Sequence, residues 1–206
     1  MKALLKEYFT GCLTIPNLLS VIRIALVPVF AVLFNNGQYG WAVFVLAVSG
    51  LTDFFDGKIA RKFNQISALG KLLDPVADKL TQITIAIMFY LTFRSSSDET
   101  VKSFSWIFLI FLIKEAVMVV GGAIMIMIGL KPGAAEMPGK VATFAFYVIM
   151  CLIIAFGPDV GILGDLFTLP SAVMLVLVGI SVALTIVAFC SYLPGVFRQL
   201  KERKAK

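Results

Sequence analysis

Six apolar runs, at about 18–34, 40–60, 72–93, 104–128, 141–156 and 171–192, divide this chain into segments of bilayer-spanning length. The fifth is short and can extend backward through Gly139. Hydrocarbon offers a backbone no hydrogen-bond partners, so runs of this length must be helices. Turn-forming residues separate them: Asn35-Asn36-Gly37, Arg94-Ser95-Ser96-Ser97-Asp98, Lys131-Pro132-Gly133 and Gly157-Pro158-Asp159. The expected fold is an all-α integral membrane protein with six transmembrane helices, in one domain covering 1–206. Composition agrees. Hydrophobic residues make up 60% of the 206 and charged ones only 15%, where a soluble domain holds about a quarter.

The chain begins with Lys2, Lys6 and Glu7 among Leu4, Leu5, Tyr8 and Phe9, and no long apolar core follows before Pro16. Segment 1–14 therefore reads as a juxtamembrane stretch holding a short amphipathic surface helix, and not as a signal peptide. Cys12, Cys151 and Cys190 are too scattered for a metal knot or a disulfide framework. The sequence has no histidine, so imidazole acid–base chemistry and histidine-ligated zinc or haem are excluded. Any general base is a carboxylate or a lysine.

Charge orients the chain. An even number of spans puts both ends on one side, together with Lys58, Arg61, Lys62, Lys71, Lys79, Lys131, Lys140 and a basic tail at 198–206. The opposite loops carry Arg94 and Lys102 among Asp98, Glu99, Asp159 and Asp165. The positive-inside rule makes the basic side cytoplasmic in a bacterial-type inner membrane. The net charge of +6 then reflects orientation and anionic lipid, and nucleic acid is not an expected partner.

Against this background the stretch 53–78 stands out. It places Asp53, Asp56, Asp74 and Asp78 inside or beside two apolar runs, where an unpaired carboxylate costs a few kcal/mol or more. On helices Asp53 and Asp56 share one face, as do Asp74 and Asp78. Gly57 and Gly70 let a ligand or backbone come close, and Arg61 carries the planar fork that suits phosphate oxygens. Clustered carboxylates call for cations, and all-oxygen ligation points to Mg²⁺ or Mn²⁺. A structural reading stands beside this one: Asp53 and Asp56 paired with Lys58, Arg61 or Lys62, and Asp74 capping a helix that starts at Pro75. Capping is compatible with metal binding.

Other polar residues lie inside the runs. Asn17, Ser20 and Arg23 recur every three residues near the start of the first. They form either the wall of a polar cavity or, for Arg23, a snorkelling contact with headgroups. Lys114 and Glu115 sit within the fourth run, about 100° apart on a helix and so not expected to pair. Lys140 opens the fifth run, as a flanking lysine or a cavity residue. Arg23, Lys114 and Lys140 could together make a basic pocket for an anionic acceptor.

Read as one pattern, 53–78 is D-x2-D-G-x2-A-R-x8-G-x3-D-x3-D. It resembles the motif of the CDP-alcohol phosphatidyltransferases at all eight defining positions: Asp53, Asp56, Gly57, Ala60, Arg61, Gly70, Asp74 and Asp78. P-N-x-L-[ST]-x2-R, from Pro16 to Arg23, is similar to members that make phosphatidylglycerol phosphate or cardiolipin. The resemblance implies metal-dependent transfer of a phosphatidyl group from CDP-diacylglycerol to an alcohol, with release of CMP. It implies two metal ions held by Asp53, Asp56, Asp74 and Asp78, and a CDP-lipid bound by Asp53, Gly57, Ala60, Arg61 and Gly70. Asp78 is the implied general base, a metal ligand, or both. A homodimer is also implied. Asn17, Arg23, Lys114 and Lys140 are the acceptor candidates. Glycerol 3-phosphate is the leading acceptor, since a pocket with several basic groups suits one that carries phosphate; the arginine-rich stretch expected around Lys114 is not reproduced, which leaves phosphatidylglycerol, giving cardiolipin, as runner-up. A divalent-cation transporter is the rival class, but it has no need of Gly57, Ala60, Arg61 and Gly70 at these spacings.

Overall fold

The computed structural model describes residues 14–62, 70–128 and 137–204, with the side chains of 53–62 and 202–204 among those outside that description. The expected surface helix within 1–14 lies almost wholly outside it. The described residues form helices α1 (Ile15–Asn35), α2 (Tyr39–Lys62), α3 (Gly70–Arg94), α4 (Glu99–Phe104), α5 (Ile107–Met127), α6 (Met137–Phe156) and α7 (Ser171–Lys204). Five helical stretches are long and apolar enough to cross a membrane, and α2 adds a shorter apolar stretch over Tyr39–Thr52. The protein is a multi-pass, all-helical membrane protein. The chain divides into two compact units, Met1–Met88 and Phe89–Lys206.

In the first unit α1 starts at an N-cap, Thr14, whose hydroxyl accepts from the Asn17 amide at 3.4 Å, with Pro16 in the first turn, where a missing N–H costs little. A tight turn returns the chain into α2. Gly37 takes φ +71, a left-handed conformation that suits glycine, and its amide donates to the Phe34 carbonyl at 3.1 Å. Phe30, Phe34 and Tyr39 pack against one another along the resulting hairpin, tilted and then edge-to-face, with ring centroids 5.5 and 5.1 Å apart. Helices α1, α2 and α3 converge on Leu26, Phe30, Leu46, Ser49 and Thr81.

In the second unit Phe89, Phe93, Phe108, Phe111 and Phe146 form a continuous aromatic chain, with successive centroids 4.9–6.3 Å apart. Met150, Ile153, Ile154, Met174 and Val178 are fully buried on α6 and α7. Trp41, Phe44, Ile113, Val120, Phe144 and Val187 are all exposed. In water such a surface would aggregate; in hydrocarbon it is the ordinary solvent-facing surface.

The fourth run is helical from Ile107 to Met127, and at its leading edge Ser105 and Trp106 link α5 to the short α4 through bonds of i to i+3 type, from Ser105 to the Lys102 carbonyl and from Phe108 to the Ser105 carbonyl, both 3.2 Å. Two expectations are corrected. Asp74 is not a cap. Helix α3 begins at Gly70, so Asp74 and Pro75 lie a turn inside, and the preference of proline for a first helical position is overridden by its surroundings. Lys114 and Glu115 do pair (below).

Asp98 ties the loop before α4 to α7. It caps α4, accepting from the Thr100 amide at 2.8 Å, and also accepts a hydrogen bond from the Ser171 hydroxyl. The Ser171 hydroxyl, and then the Thr100 amide, hold its carboxyl below the ordinary value, while partial burial opposes them. A depressed folded value means that its contribution is present above the unfolded pKa of about 3.9 and is lost as pH falls through the folded one.

The melting-temperature gap between wild type and Asp98→Ala in detergent holds at neutral pH and closes as pH drops below about 3.9. Gly37→Ala, forced to φ +71, costs about 1 kcal/mol. Gly157→Ala costs more, about 2 kcal/mol, because its β-carbon would lie 2.5 Å from the Ile153 carbonyl oxygen. Thermal or denaturant unfolding of the purified variants measures both.

Candidate active site

Helix register explains why the motif spacing works. Positions 53, 56, 57 and 60 recur at i, i+3, i+4 and i+7 and so share one stripe of α2, within its last turns. The side chains of Asp53, Asp56, Gly57, Ala60 and Arg61 fall outside the described residues. On α3, positions 70, 74 and 78 succeed one another at i+4. Gly70 is buried at the first position of the helix, and Asp74 and Asp78 are half-exposed.

Helix α1 supplies the partners of the α3 aspartates. Ser20, fully buried, donates to Asp74 Oδ1 at 2.5 Å and also lies 3.0 Å from the Pro16 carbonyl oxygen. A hydroxyl has one proton, so these two are alternatives. Arg23 Nη1 sits 3.0 Å from Asp78 Oδ1, with the arginine side chain 2% and the aspartate 44% exposed. One turn further along α3, Thr81 Oγ1 donates to the Ala77 carbonyl at 2.9 Å and stays buried. The polar strip expected on α1 is thus buried throughout, with Asn17 at 4%, Ser20 at 0% and Arg23 at 2% exposure. Snorkelling does not describe Arg23, because its guanidinium has a carboxylate to meet inside the unit.

Ser20 was expected only as part of the polar strip on α1; its partner Asp74 was not, since nothing in the three-residue recurrence names what the strip faces.

The second unit holds the remaining candidates. Lys114 Nζ forms an ion pair with Glu115 Oε1, with the lysine 23% and the glutamate 3% exposed. Adjacent positions do diverge on a helix, but a four-carbon stem is long enough to curl back, and a buried glutamate left without positive charge would be costly. Lys140 is exposed in the first turn of α6.

The donor chemistry of Asp74 and Asp78 fits a hard divalent cation. They are oxygen ligands one helical turn apart, and each carboxylate offers about four lone-pair sites, so one hydrogen bond leaves capacity for more. The face already draws positive charge, in the form of the Arg23 guanidinium. No three carboxylate or thiol groups gather at a point among the described residues.

The polar layer shared by α1 and α3 thus lies within a multi-pass helical membrane protein. Its sequence matches the CDP-alcohol phosphatidyltransferase family over residues 13–187. The chain belongs to that family. It is 40% identical over 152 residues to a cardiolipin synthase (CMP-forming) of Streptomyces coelicolor, covering 70% of this chain and 67% of that one. A putative cardiolipin synthase of Mycobacterium tuberculosis is 40% identical over 138 residues, 66% of this chain and 62% of its own. A CDP-diacylglycerol–glycerol-3-phosphate 3-phosphatidyltransferase of Rickettsia typhi is 47% identical over 79 residues, 36% of this chain and 43% of its own. The matches to the two cardiolipin synthases thus span about two thirds of those proteins.

The Arg23–Asp78 pair is testable without any assay of activity. In a double-mutant cycle of Arg23→Gln and Asp78→Asn, followed by unfolding in detergent, the coupling should be on the order of 1 kcal/mol, between the values for exposed and buried pairs. Additive effects would show that the pair does not tie α1 to α3.

Proposed function

We propose that the chain, acting as one membrane domain, transfers the phosphatidyl group of CDP-diacylglycerol to an alcohol and releases CMP. The observation that carries this reading is the eight-position motif, complete in sequence, within a family match that spans both units. Acyl chains stay in lipid while the pyrophosphate head enters the polar layer from the cytoplasmic side of a bacterial-type inner membrane, in a protein that works as a homodimer.

Asp53, Asp56, Asp74 and Asp78 would hold Mg²⁺ or Mn²⁺, in the proposal two ions, which supply charge neutralisation for the pyrophosphate and the departing CMP. Gly57 and Gly70 admit the donor, Ala60 keeps the face narrow and Arg61 takes a phosphate. Asp78 accepts the proton of the acceptor hydroxyl as the new oxygen–phosphorus bond forms and the bond to the CMP phosphate breaks. Ser20 and Arg23 orient Asp74 and Asp78. This role suits a buried Arg23 better than direct contact with an acceptor; Asn17, buried beside it, belongs to the same layer, and Lys114 and Lys140 remain acceptor candidates.

Between the two acceptors, phosphatidylglycerol leads. Matches to the Streptomyces and Mycobacterium cardiolipin synthases run across 66–70% of this chain, against 36–41% for glycerol-3-phosphate enzymes, although a rat cardiolipin synthase matches over only 37%. Glu115 also offsets the charge of Lys114, which suits a singly charged phosphodiester better than a phosphate monoester carrying up to two charges. Glycerol 3-phosphate is the second reading, supported by the Rickettsia enzymes that are 44–47% identical over 79–90 residues.

Purified protein given CDP-diacylglycerol, Mg²⁺ and each acceptor in turn should release CMP fastest with phosphatidylglycerol. Faster release with glycerol 3-phosphate would select the second reading. Cation flux in liposomes with no CMP release from any acceptor would favour a transporter. Asp78→Asn should lower turnover by at least about a hundredfold while CDP-lipid binding stays measurable, and near-normal turnover would remove the base assignment.

A further inference from the structure

Helix α7 is longer than a membrane requires. Its 34 residues, Ser171–Lys204, span about 51 Å at 1.5 Å per residue, against about 30 Å of hydrocarbon. The continuous apolar run ends near Tyr192, and the helix continues through Pro194 and Gly195 for several more turns.

Those turns have their own pattern. Leu193, Val196, Phe197 and Leu200 recur at i, i+3, i+4 and i+7, a stripe about 100° wide. Phe197 is 66% and Leu193 37% exposed. Lysine and arginine at positions 201 and 203 fall on the two borders of the stripe, and Arg198 and Lys201 are exposed. Across 193–204 there are four basic residues, Arg198, Lys201, Arg203 and Lys204, and one acidic residue, Glu202. A helix standing straight out in water would gain nothing from this stripe. A helix lying at a bilayer surface buries the stripe among acyl chains and sets basic groups at its borders against headgroup phosphates.

We propose that residues 193–204 of α7 form an interfacial arm that docks on an anionic phospholipid surface through the Leu193, Val196, Phe197 and Leu200 stripe and its bordering basic residues. Charge complementarity selects this occupant: a net excess of three positive charges on a short helix continuous with a membrane span lies within a Debye length of the leaflet it leaves. Pro194 removes the backbone donor that would reach the Cys190 carbonyl, so the helix yields most easily where the arm begins. The proposal is independent of the reaction assigned to the motif.

Limited trypsin digestion tests it, since the arm holds the cleavage points Arg198, Lys201, Arg203 and Lys204. The full chain is reconstituted in vesicles of pure phosphatidylcholine, and in vesicles containing about one third phosphatidylserine. Cleavage within 198–204 is followed by mass spectrometry. Phe197→Ser/Leu200→Ser and Arg198→Gln/Lys201→Gln chains, in the same vesicles, correct for any effect of surface charge on trypsin itself. In the anionic vesicles wild type should be cut at Lys201 and Arg203 at least roughly tenfold more slowly than the Phe197→Ser/Leu200→Ser chain. That difference should shrink in neutral vesicles and at about 1 M salt, where the Debye length falls to about 3 Å. The Arg198→Gln/Lys201→Gln chain should lose protection at Arg203. Equal cleavage of wild type and the serine variant in anionic vesicles overturns the proposal. Equal protection of wild type in neutral and anionic vesicles also overturns it, by showing that the arm rests on the protein and not on lipid charge.

Discussion

A carboxylate within or beside a membrane span is kept only where something receives its charge, and for Asp74 and Asp78 that something is α1. Ser20 and Arg23, three positions apart on one face, meet Asp74 and Asp78, four positions apart on one face of α3. The match of two helical repeats lets one helix serve both acidic groups without distortion. It also fixes how far α1 can slide or turn against α3, since a shift of one residue along either helix would rotate the partners by about 100° and break both contacts together. The rest of the unit is consistent with this constraint. The tight turn at Gly37 brings α2 back alongside α1, and the ring contacts of Phe30, Phe34 and Tyr39 pack the turn end of the hairpin.

The second unit is built differently. Its described packing is mostly aromatic and aliphatic, from Phe89 to Phe146 and along α6 and α7, with the Lys114–Glu115 ion pair set within α5. Such packing tolerates substitution of similar volume, whereas the α1–α3 layer requires particular donors and acceptors. The contrast between the units is one between specified polar contacts and exchangeable apolar ones.

Much of this was legible in the sequence because hydrophobic length is a strong signal. All six runs are helical, and even the short fifth extends back past Gly139 to Met137. Boundaries were less legible. Asp74-Pro75 looks like a helix start because proline suits a first turn, yet the turn of Gly70-Lys71-Leu72-Leu73 ahead of it is also helical. The leading edge of the run at 104–128 gave no hint of its link to α4, because Ser105 and Trp106 are compatible with a helix and the link depends on how the backbone bonds locally. Pairing was the hardest to read. The three-residue recurrence of Asn17, Ser20 and Arg23 announced a polar face but not its partner, since a contact across more than fifty positions leaves no mark on periodicity. Lys114 and Glu115 escaped an argument from helix angles that treats side chains as short spokes, when lysine is a long flexible one.

The bond from Ser171 to Asp98 joins residues 73 positions apart. While the chain is being made, α4 has its own cap from Asp98 to the Thr100 amide, but the hydroxyl that braces that cap is not synthesised until α5 and α6 are complete. A six-residue helix this short has little stability alone. The loop it anchors therefore settles late during biogenesis, and the arrival of the last span works as a latch on the segment joining the third and fourth.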